Sequence, residues 1–165
     1  MSVSSTNKKV VVVRFDREPL SGVASLPGLG EEGCVEILTS TGTLVKAPLD
    51  EVKAVCFAKD LPSPDAWRPN RYFAVRPKTN GLWLRFRFRD HDGLDGVVAN
   101  NMLILEPLGF TIIPPDPSFL NQRIFVPRMA LLEAQVMGVI GSPLRLKPVS
   151  RLKPKSPDQI EMFME

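Results

Sequence analysis

The chain is poor in the residues that usually carry chemistry. It has one histidine, two cysteines and one tyrosine in 165 residues. One histidine leaves no histidine pair for a zinc or iron site, so neither a metal nor a cofactor is expected. Two cysteines are too few for a disulfide-stapled secreted scaffold. Cys34 and Cys56 both lie in apolar, strand-like stretches and read as buried thiols. Long apolar runs are missing as well, and no segment reaches the ~20 residues that a helix needs to cross a bilayer. The polar residues 1–9 lack the apolar core of a secretory signal, which places the expected location in the cytoplasm. Nor is there a large charge of one sign. Lysine and arginine number 21 against 18 aspartates and glutamates, a net charge of +3 and a pI near 9.0. That bias permits an anionic partner without demanding one.

Proline is the exception to this scarcity. The 16 prolines are spread along the chain, and proline is poorly tolerated inside a helix or a central strand. Long helices are therefore excluded over most of the sequence. What remains is strand and turn. Val11-Val12-Val13-Arg14-Phe15 is a valine-rich strand, followed by the turn Asp16-Arg17-Glu18-Pro19, then Leu20 and Gly22-Val23 on the return. Gly22 marks a sharp bend inside that return strand. Strands over 34–38, 43–47 and 52–57 follow. They are separated by a glycine-rich loop at 27–33, a Ser40-Thr41-Gly42 turn and a short turn after Pro48.

The same pattern then recurs. Leu84-Arg85-Phe86-Arg87-Phe88 is followed by Leu94 and Gly96-Val97. Here Leu84, Phe86 and Phe88 alternate with Arg85, Arg87 and Arg89, which assigns one face to the core and one to water. The spacing aligns Phe15 with Phe88, Gly22 with Gly96, Pro48 with Pro127, and Glu51-Val52 with Ala130-Leu131. Residues 131–139 read as a closing strand or a short helix, and the first copy favours the strand. Between the copies, 61–81 is a proline-rich connector. Its Trp67, Tyr72 and Phe73 give it too much aromatic surface for a flexible linker, so it is expected to drape over one or both copies. The expected organisation is an all-β chain with a first small barrel at 1–60, the connector at 61–81, a second barrel at 82–141 and a basic, proline-rich tail at 142–165. Phe15, Leu20, Val35, Ile37, Val52 and Phe57 are expected in the first core, and Phe86, Phe88, Leu94, Ile113, Phe125 and Leu131 in the second. The Ser156-Pro157-Asp158-Gln159 signature starts a short helix in that tail.

These copies resemble the Sm-like family of five-stranded, SH3-like small barrels. More narrowly, they are similar to uncharacterised bacterial Sm-like proteins whose copies run Val-x-Val-Arg-Phe, an acidic turn, Leu-x-Gly, then a proline segment leading to Val-Lys. The matching residues are Val11, Val13, Arg14, Phe15, Asp16, Leu20, Gly22, Pro48, Val52 and Lys53. In the second copy they are Leu84, Phe86, Arg87, Phe88, Asp90, Leu94, Gly96 and Pro127, and the closing Val-Lys is lost. The resemblance implies two tandem five-stranded barrels that pair edge to edge within one chain, as a monomer or dimer. It carries over no RNA-binding residue. The Asp-x-aromatic-x-Asn loop is absent, and Phe57-Ala58-Lys59 stands where the family's Arg-Gly would be.

Candidate sites are few. His91, between two aspartates in a hairpin turn, has too few companions for a metal or a catalytic triad and reads as a turn residue. Arg85, Arg87 and Arg89 on one strand face, with Arg68, Arg71 and Arg76 of the connector, form the candidate nucleic-acid surface. The competing reading is a solvated sheet face paired with local acids. The loop at 27–33 lacks the lysine and following helix of a phosphate-binding loop. Arg68-Pro69-Asn70-Arg71 is only superficially similar to the arginine motif of cyclic-dinucleotide-binding domains. In the tail, Gln159, Ile160, Met162 and Phe163 resemble the short motif by which bacterial proteins dock on the replicative sliding clamp. The alternative is an amphipathic helix folded back on its own barrel. The reading that follows is a non-enzymatic adaptor that binds protein partners through its barrels and tail. RNA or DNA binding through the arginine face is the alternative.

Overall fold

A computed structural model describes residues 7–25, 31–59, 71–101, 103, 106–115 and 123–141. Among them the fold is all-β, with ten strands and two 3₁₀ turns. The first half holds β1 (Asn7–Arg14), β2 (Leu20–Ser25), β3 (Cys34–Thr39), β4 (Leu44–Pro48) and β5 (Val52–Phe57). The second holds β6 (Gly81–Phe88), β7 (Gly93–Val98), β8 (Gly109–Ile112), β9 (Arg123–Pro127) and β10 (Leu131–Ile140). Residues 131–140 are thus a strand and not a helix. Trp67, the tail and its expected helix lie outside the described residues.

The strands form two hydrogen-bonded sheets, ordered β4-β3-β2-β1-β5-β9-β8 and β10-β6-β7. Neither sheet closes on itself. A Val97–Ile113 bridge joins β7 to the end of β8. The hydrogen-bonded path therefore runs through all ten strands and ends at β4 and β10. Each half has the same order along that path: β4-β3-β2-β1-β5, then β9-β8-β7-β6-β10. The halves meet where β5 pairs antiparallel with β9, setting Val55 opposite Phe125, Cys56 opposite Ile124 and Phe57 opposite Arg123.

The pairing corrects the repeat alignment by one residue. Val12 lies opposite Leu20, and Phe86 lies opposite Leu94. Val12 therefore corresponds to Phe86, and Arg14, not Phe15, corresponds to Phe88. With this register the two hairpins are equal in length. A one-residue slip moves every side chain to the other face of a strand, and Phe15 illustrates the consequence. It was expected in the first core, with Leu20, Val35, Ile37, Val52 and Phe57. Instead it packs against the second cluster, built from Leu84, Phe86, Phe88, Leu94, Ile112, Ile124 and their neighbours. The first cluster holds Val10, Val12, Val35, Ile37, Val52 and Val55, with Leu20 and Phe57 packed against it. It also takes Phe125, which was expected in the second core, because β9 lies beside β5 and swings Phe125 across the junction. Ile112, one residue before the expected Ile113, is the fully buried side chain of β8. Leu131, expected in the second core, is half-buried against it.

β1 and β5 sit between the two clusters. Val10, Val12 and Val55 face one; Val11, Val13, Ala54 and Cys56 face the other. This is why β5 is apolar on both faces. The two bend glycines lie at equivalent places, Gly22 opposite Val10 and Gly96 opposite Leu84. A Cβ at Gly22 would stand 2.6 Å from Ile37 Cγ2, and one at Gly96 would stand 2.5 Å from Ile112 Cδ1. Both strands fold closely over a neighbour there, and only glycine leaves room.

Candidate functional site

The arginine face of β6 is the first candidate surface. The alternation of the sequence holds: Leu84, Phe86 and Phe88 are buried, and Arg85, Arg87 and Arg89 point outward. The three arginines nevertheless have different surroundings. Arg85 reaches across to β7, where Asp95 is fully buried. Arg85 Nε donates to Asp95 Oδ1 at 2.7 Å and its Nη2 donates to Oδ2 at 3.0 Å. Trp83 Nε1 and the Phe73 amide also donate to Oδ2, at 3.2 and 3.3 Å. A buried carboxylate is tolerable only when paired and hydrogen-bonded, and Asp95 meets both conditions. The hydrogen bond to Asp95 holds the Arg85 guanidinium above its ordinary pKa, against the opposing effect of burial. On its outer side Arg85 lies 5.1 Å from the centre of the Tyr72 ring.

The same contacts dock the connector. Phe73 meets Trp83 edge-on at 5.9 Å, and the Asp95 amide donates to the Arg71 carbonyl at 2.7 Å. Residues 71–73 are therefore held against β6 and β7, as their aromatic content implies.

At the hairpin tip, Lys53 from β5 reaches Asp90 at 2.5 Å and Asp92 at 2.7 Å, and Arg71 pairs with Asp92. Lys53 keeps only 14% of its side-chain exposure. Its hydrogen bond and charge, followed by the charge of Arg71, lower the Asp92 pKa from 3.8, partly offset by burial. Arg89 donates to the Asp50 carbonyl and stacks 4.5 Å from the Phe15 ring centre. Arg87 Nη2 donates to His91 Nδ1 at 3.3 Å. His91 has a positive φ of 66°, which fits a turn residue. A shallow pocket of about 190 Å³ opens beside these groups, lined by Tyr72, Arg85, Arg87, His91, Glu133 and Gln135 among others.

The structure thus gathers Arg71, Arg85, Arg87 and Arg89 around one hairpin and gives them acidic, carbonyl, imidazole or aromatic partners inside the chain. Arg76 stands apart, donating to the Val139 carbonyl at 2.8 Å. Arg68, Gln159, Ile160, Met162 and Phe163 lie outside the described residues. The organising roles of two residues escaped the sequence reading. Asp95 carried a signal, being an acid within the otherwise apolar strand Leu94-Asp95-Gly96-Val97-Val98. Lys53 was read only as part of the Val-Lys segment, because its two aspartates lie in the other half of the chain.

The second candidate surface is β10. It pairs with β6 on one side, and among the described residues no strand pairs with the other. Residues 132–137 are all exposed, including Leu132, Val136 and Met137. Exposed apolar side chains along an unpaired strand edge are a template for a further strand.

Cys56 is buried and Cys34 half-buried, with no disulfide between them. Among the described residues no group of three or more histidines, cysteines and acids is placed to hold a metal, and no helix is long and apolar enough to cross a membrane. The family described as "Family of unknown function (DUF6982)" matches residues 6–138. No curated protein and no solved structure matches the chain.

Proposed function

The chain belongs to that family of unknown function, and we propose that it is a non-enzymatic adaptor, built from two tandem Sm-like units, that offers strand edges to protein partners. The observation that carries this reading is β10, a ten-residue strand with one edge unpaired among the described residues and apolar side chains exposed along it. Such an edge recruits an extended segment by main-chain hydrogen bonds, with the side chains adding selectivity. The common strand order of the two halves and the matched bends at Gly22 and Gly96 support the tandem Sm-like reading. The tail supplies a second docking element on its sequence, with Gln159, Ile160, Met162 and Phe163 as the contacts for a sliding clamp or another protein.

The partners already held by Arg71, Arg85 and Arg89 count against nucleic acid as the main ligand, since phosphate binding would compete with Asp92, Asp95 and the Asp50 carbonyl. The test is affinity capture from cytoplasmic extract with the full chain, with a chain ending at residue 141, and with Val136→Lys. Partner capture that depends on β10 or on the tail supports the adaptor. Salt-sensitive gel shifts with mixed RNA and DNA oligomers, lost in Arg87→Ala and Arg89→Ala, would replace it with the nucleic-acid reading.

A further inference from the structure

The outer face of β7, β6 and β10 carries two neighbouring rows of residues that end differently. In one row Asp95, Arg85 and Gln135 lie opposite one another across the three strands. Asp95 accepts both hydrogen bonds of the Arg85 fork, so that charge is matched. In the next row Gly93, Arg87 and Glu133 lie opposite one another. Glycine stands where the first row has its acid, so the β7 residue facing Arg87 offers no carboxylate. The space goes to Tyr72, since a Cβ at Gly93 would collide with the Tyr72 hydroxyl. The result is the pocket of about 190 Å³, with Tyr72 as a wall, Arg87 and His91 on the β6–β7 side and Glu133 and Gln135 on the β10 side. We propose that this pocket binds a small zwitterion of the α-amino acid class, its carboxylate on Arg87 and its ammonium on Glu133. The inference goes beyond the adaptor reading and does not depend on it.

Charge selects this class of ligand. Of the charged groups around the pocket, Arg85 is matched by Asp95, and Asp92 by Lys53 and Arg71. Arg87 and Glu133 remain. They lie opposite each other in register, differ in sign, and among the described residues neither is joined to an ion-pair partner. One charge of each sign across a small cleft suits a ligand that carries both. A phosphate would gain Arg87 but face Glu133 and Asp92, and a simple amine would gain Glu133 but face Arg87. Juxtaposed like charges oppose binding in both cases.

The geometry of the groups agrees. The planar fork of an arginine matches a carboxylate. His91 accepts from Arg87 through Nδ1, so its ring proton sits on Nε2 and adds a second donor beside Arg87. The Tyr72 ring is 50% exposed and offers an apolar wall to the rest of the ligand. The volume lies below the roughly 300 to 1,000 Å³ of a site for drug-sized molecules, which limits the occupant to a small one.

The test is isothermal titration calorimetry and amide NMR of the full chain against the standard α-amino acids one at a time, up to millimolar concentration. Inorganic phosphate is titrated in parallel, as are the matched carboxylate without the ammonium and the matched amine without the carboxylate. The expected result is saturable binding of at least one amino acid, with shifts at the Arg87, His91 and Glu133 amides. Arg87→Ala and Glu133→Gln should each weaken it by about tenfold or more, the loss of one hydrogen bond to a charged group. The matched carboxylate and amine should bind the wild type correspondingly more weakly than the amino acid does. Arg87 and Glu133 are exposed, so both variants should keep the wild-type melting temperature. If either fails to fold, Arg87→Lys or Glu133→Asp replaces it. No binding of any amino acid would overturn the proposal. So would amino acid binding that both variants leave unchanged, which would put the ligand elsewhere. Phosphate or the carboxylate alone binding as tightly as the amino acid, and more tightly to Glu133→Gln, would make this a plain anion site and overturn it as well. None of these outcomes bears on partner capture through β10 or the tail.

Discussion

Arg85 holds the buried carboxylate of Asp95 with two hydrogen bonds, of 2.7 and 3.0 Å, across the β6–β7 hairpin. The pair gives one arginine of the alternating strand a structural role that its neighbours lack. Arg87, two residues on, is exposed and donates to His91 at the surface.

The two arginines should therefore separate in a urea melt. Arg85→Ala leaves Asp95 buried with no counter-charge and is expected to cost about 3 kcal/mol. Arg87→Ala removes an exposed side chain and is expected to stay within about 0.5 kcal/mol. Similar losses for the two variants would mean that the Arg85–Asp95 pair does not organise the hairpin.

The Lys53 cluster predicts a dependence on acid. Asp92 has its pKa lowered in the fold by Lys53 and then Arg71. A carboxylate with a depressed folded pKa stabilises fully above its unfolded pKa, and that contribution is lost as pH falls through the folded value. Asp92 should therefore contribute fully above about pH 4 and lose its contribution progressively below the ordinary value of 3.8. Melting temperatures of wild type and Asp92→Asn should differ at pH 6 and converge towards pH 2. A difference that stays constant over this range would remove the charge interaction as its cause.

Much of the architecture was legible in the sequence because strand signals are local. The alternation of Leu84, Phe86 and Phe88 with arginines, the two bend glycines and the two prolines at Pro48 and Pro127 all act within a few residues. The extent of β10 followed only through the copy, since Leu131-Leu132-Glu133-Ala134 suits either a helix or a strand. What stayed hidden is non-local. The one-residue register that sends Phe15 to the other core depends on Val52 lying opposite Arg14, with a register shift between Val13 and Arg14. The crossing of Phe125 into the first core depends on β5 meeting β9. The partners of the arginines were legible only as a class, local acids, and not as the particular pairs Arg85–Asp95 and Arg71–Asp92.

The two phenylalanines that the sequence aligned should behave differently. Phe88 is buried in the second core, and Phe88→Ala is expected to cost about 3 to 5 kcal/mol. Phe15 is only half-buried, with the Lys53 ammonium and the Arg89 guanidinium near its ring. Phe15→Ala should cost about 1 to 2 kcal/mol, mostly area burial with a smaller cation–π contribution. Equal costs in a chemical melt would favour the original alignment over the register described above.

The bend glycines give the sharpest comparison, because the obstacles differ. At Gly22 an added Cβ meets the Leu38 carbonyl as well as Ile37 Cγ2. The Leu38 carbonyl belongs to the paired β3 backbone and can retreat only by separating the strands. At Gly96 the three nearest atoms all belong to the Ile112 side chain. Overpacking of this kind costs about 1 to 3 kcal/mol, and Gly22→Ala should fall at the upper end and Gly96→Ala at the lower. Shortening the obstructing side chain should help only the second. Ile112→Val removes Cδ1, the atom 2.5 Å from the added methyl. The double variant Gly96→Ala with Ile112→Val should therefore be more stable than the sum of the single losses predicts, a coupling of about 0.5 to 1 kcal/mol. Gly22→Ala combined with Ile37→Val should recover nothing, since valine keeps the γ-methyl that obstructs and the Leu38 carbonyl remains in the way. The measurement is a pair of double-mutant cycles from urea melts. Strict additivity at Gly96 would mean that its close approach to Ile112 is not what requires glycine there.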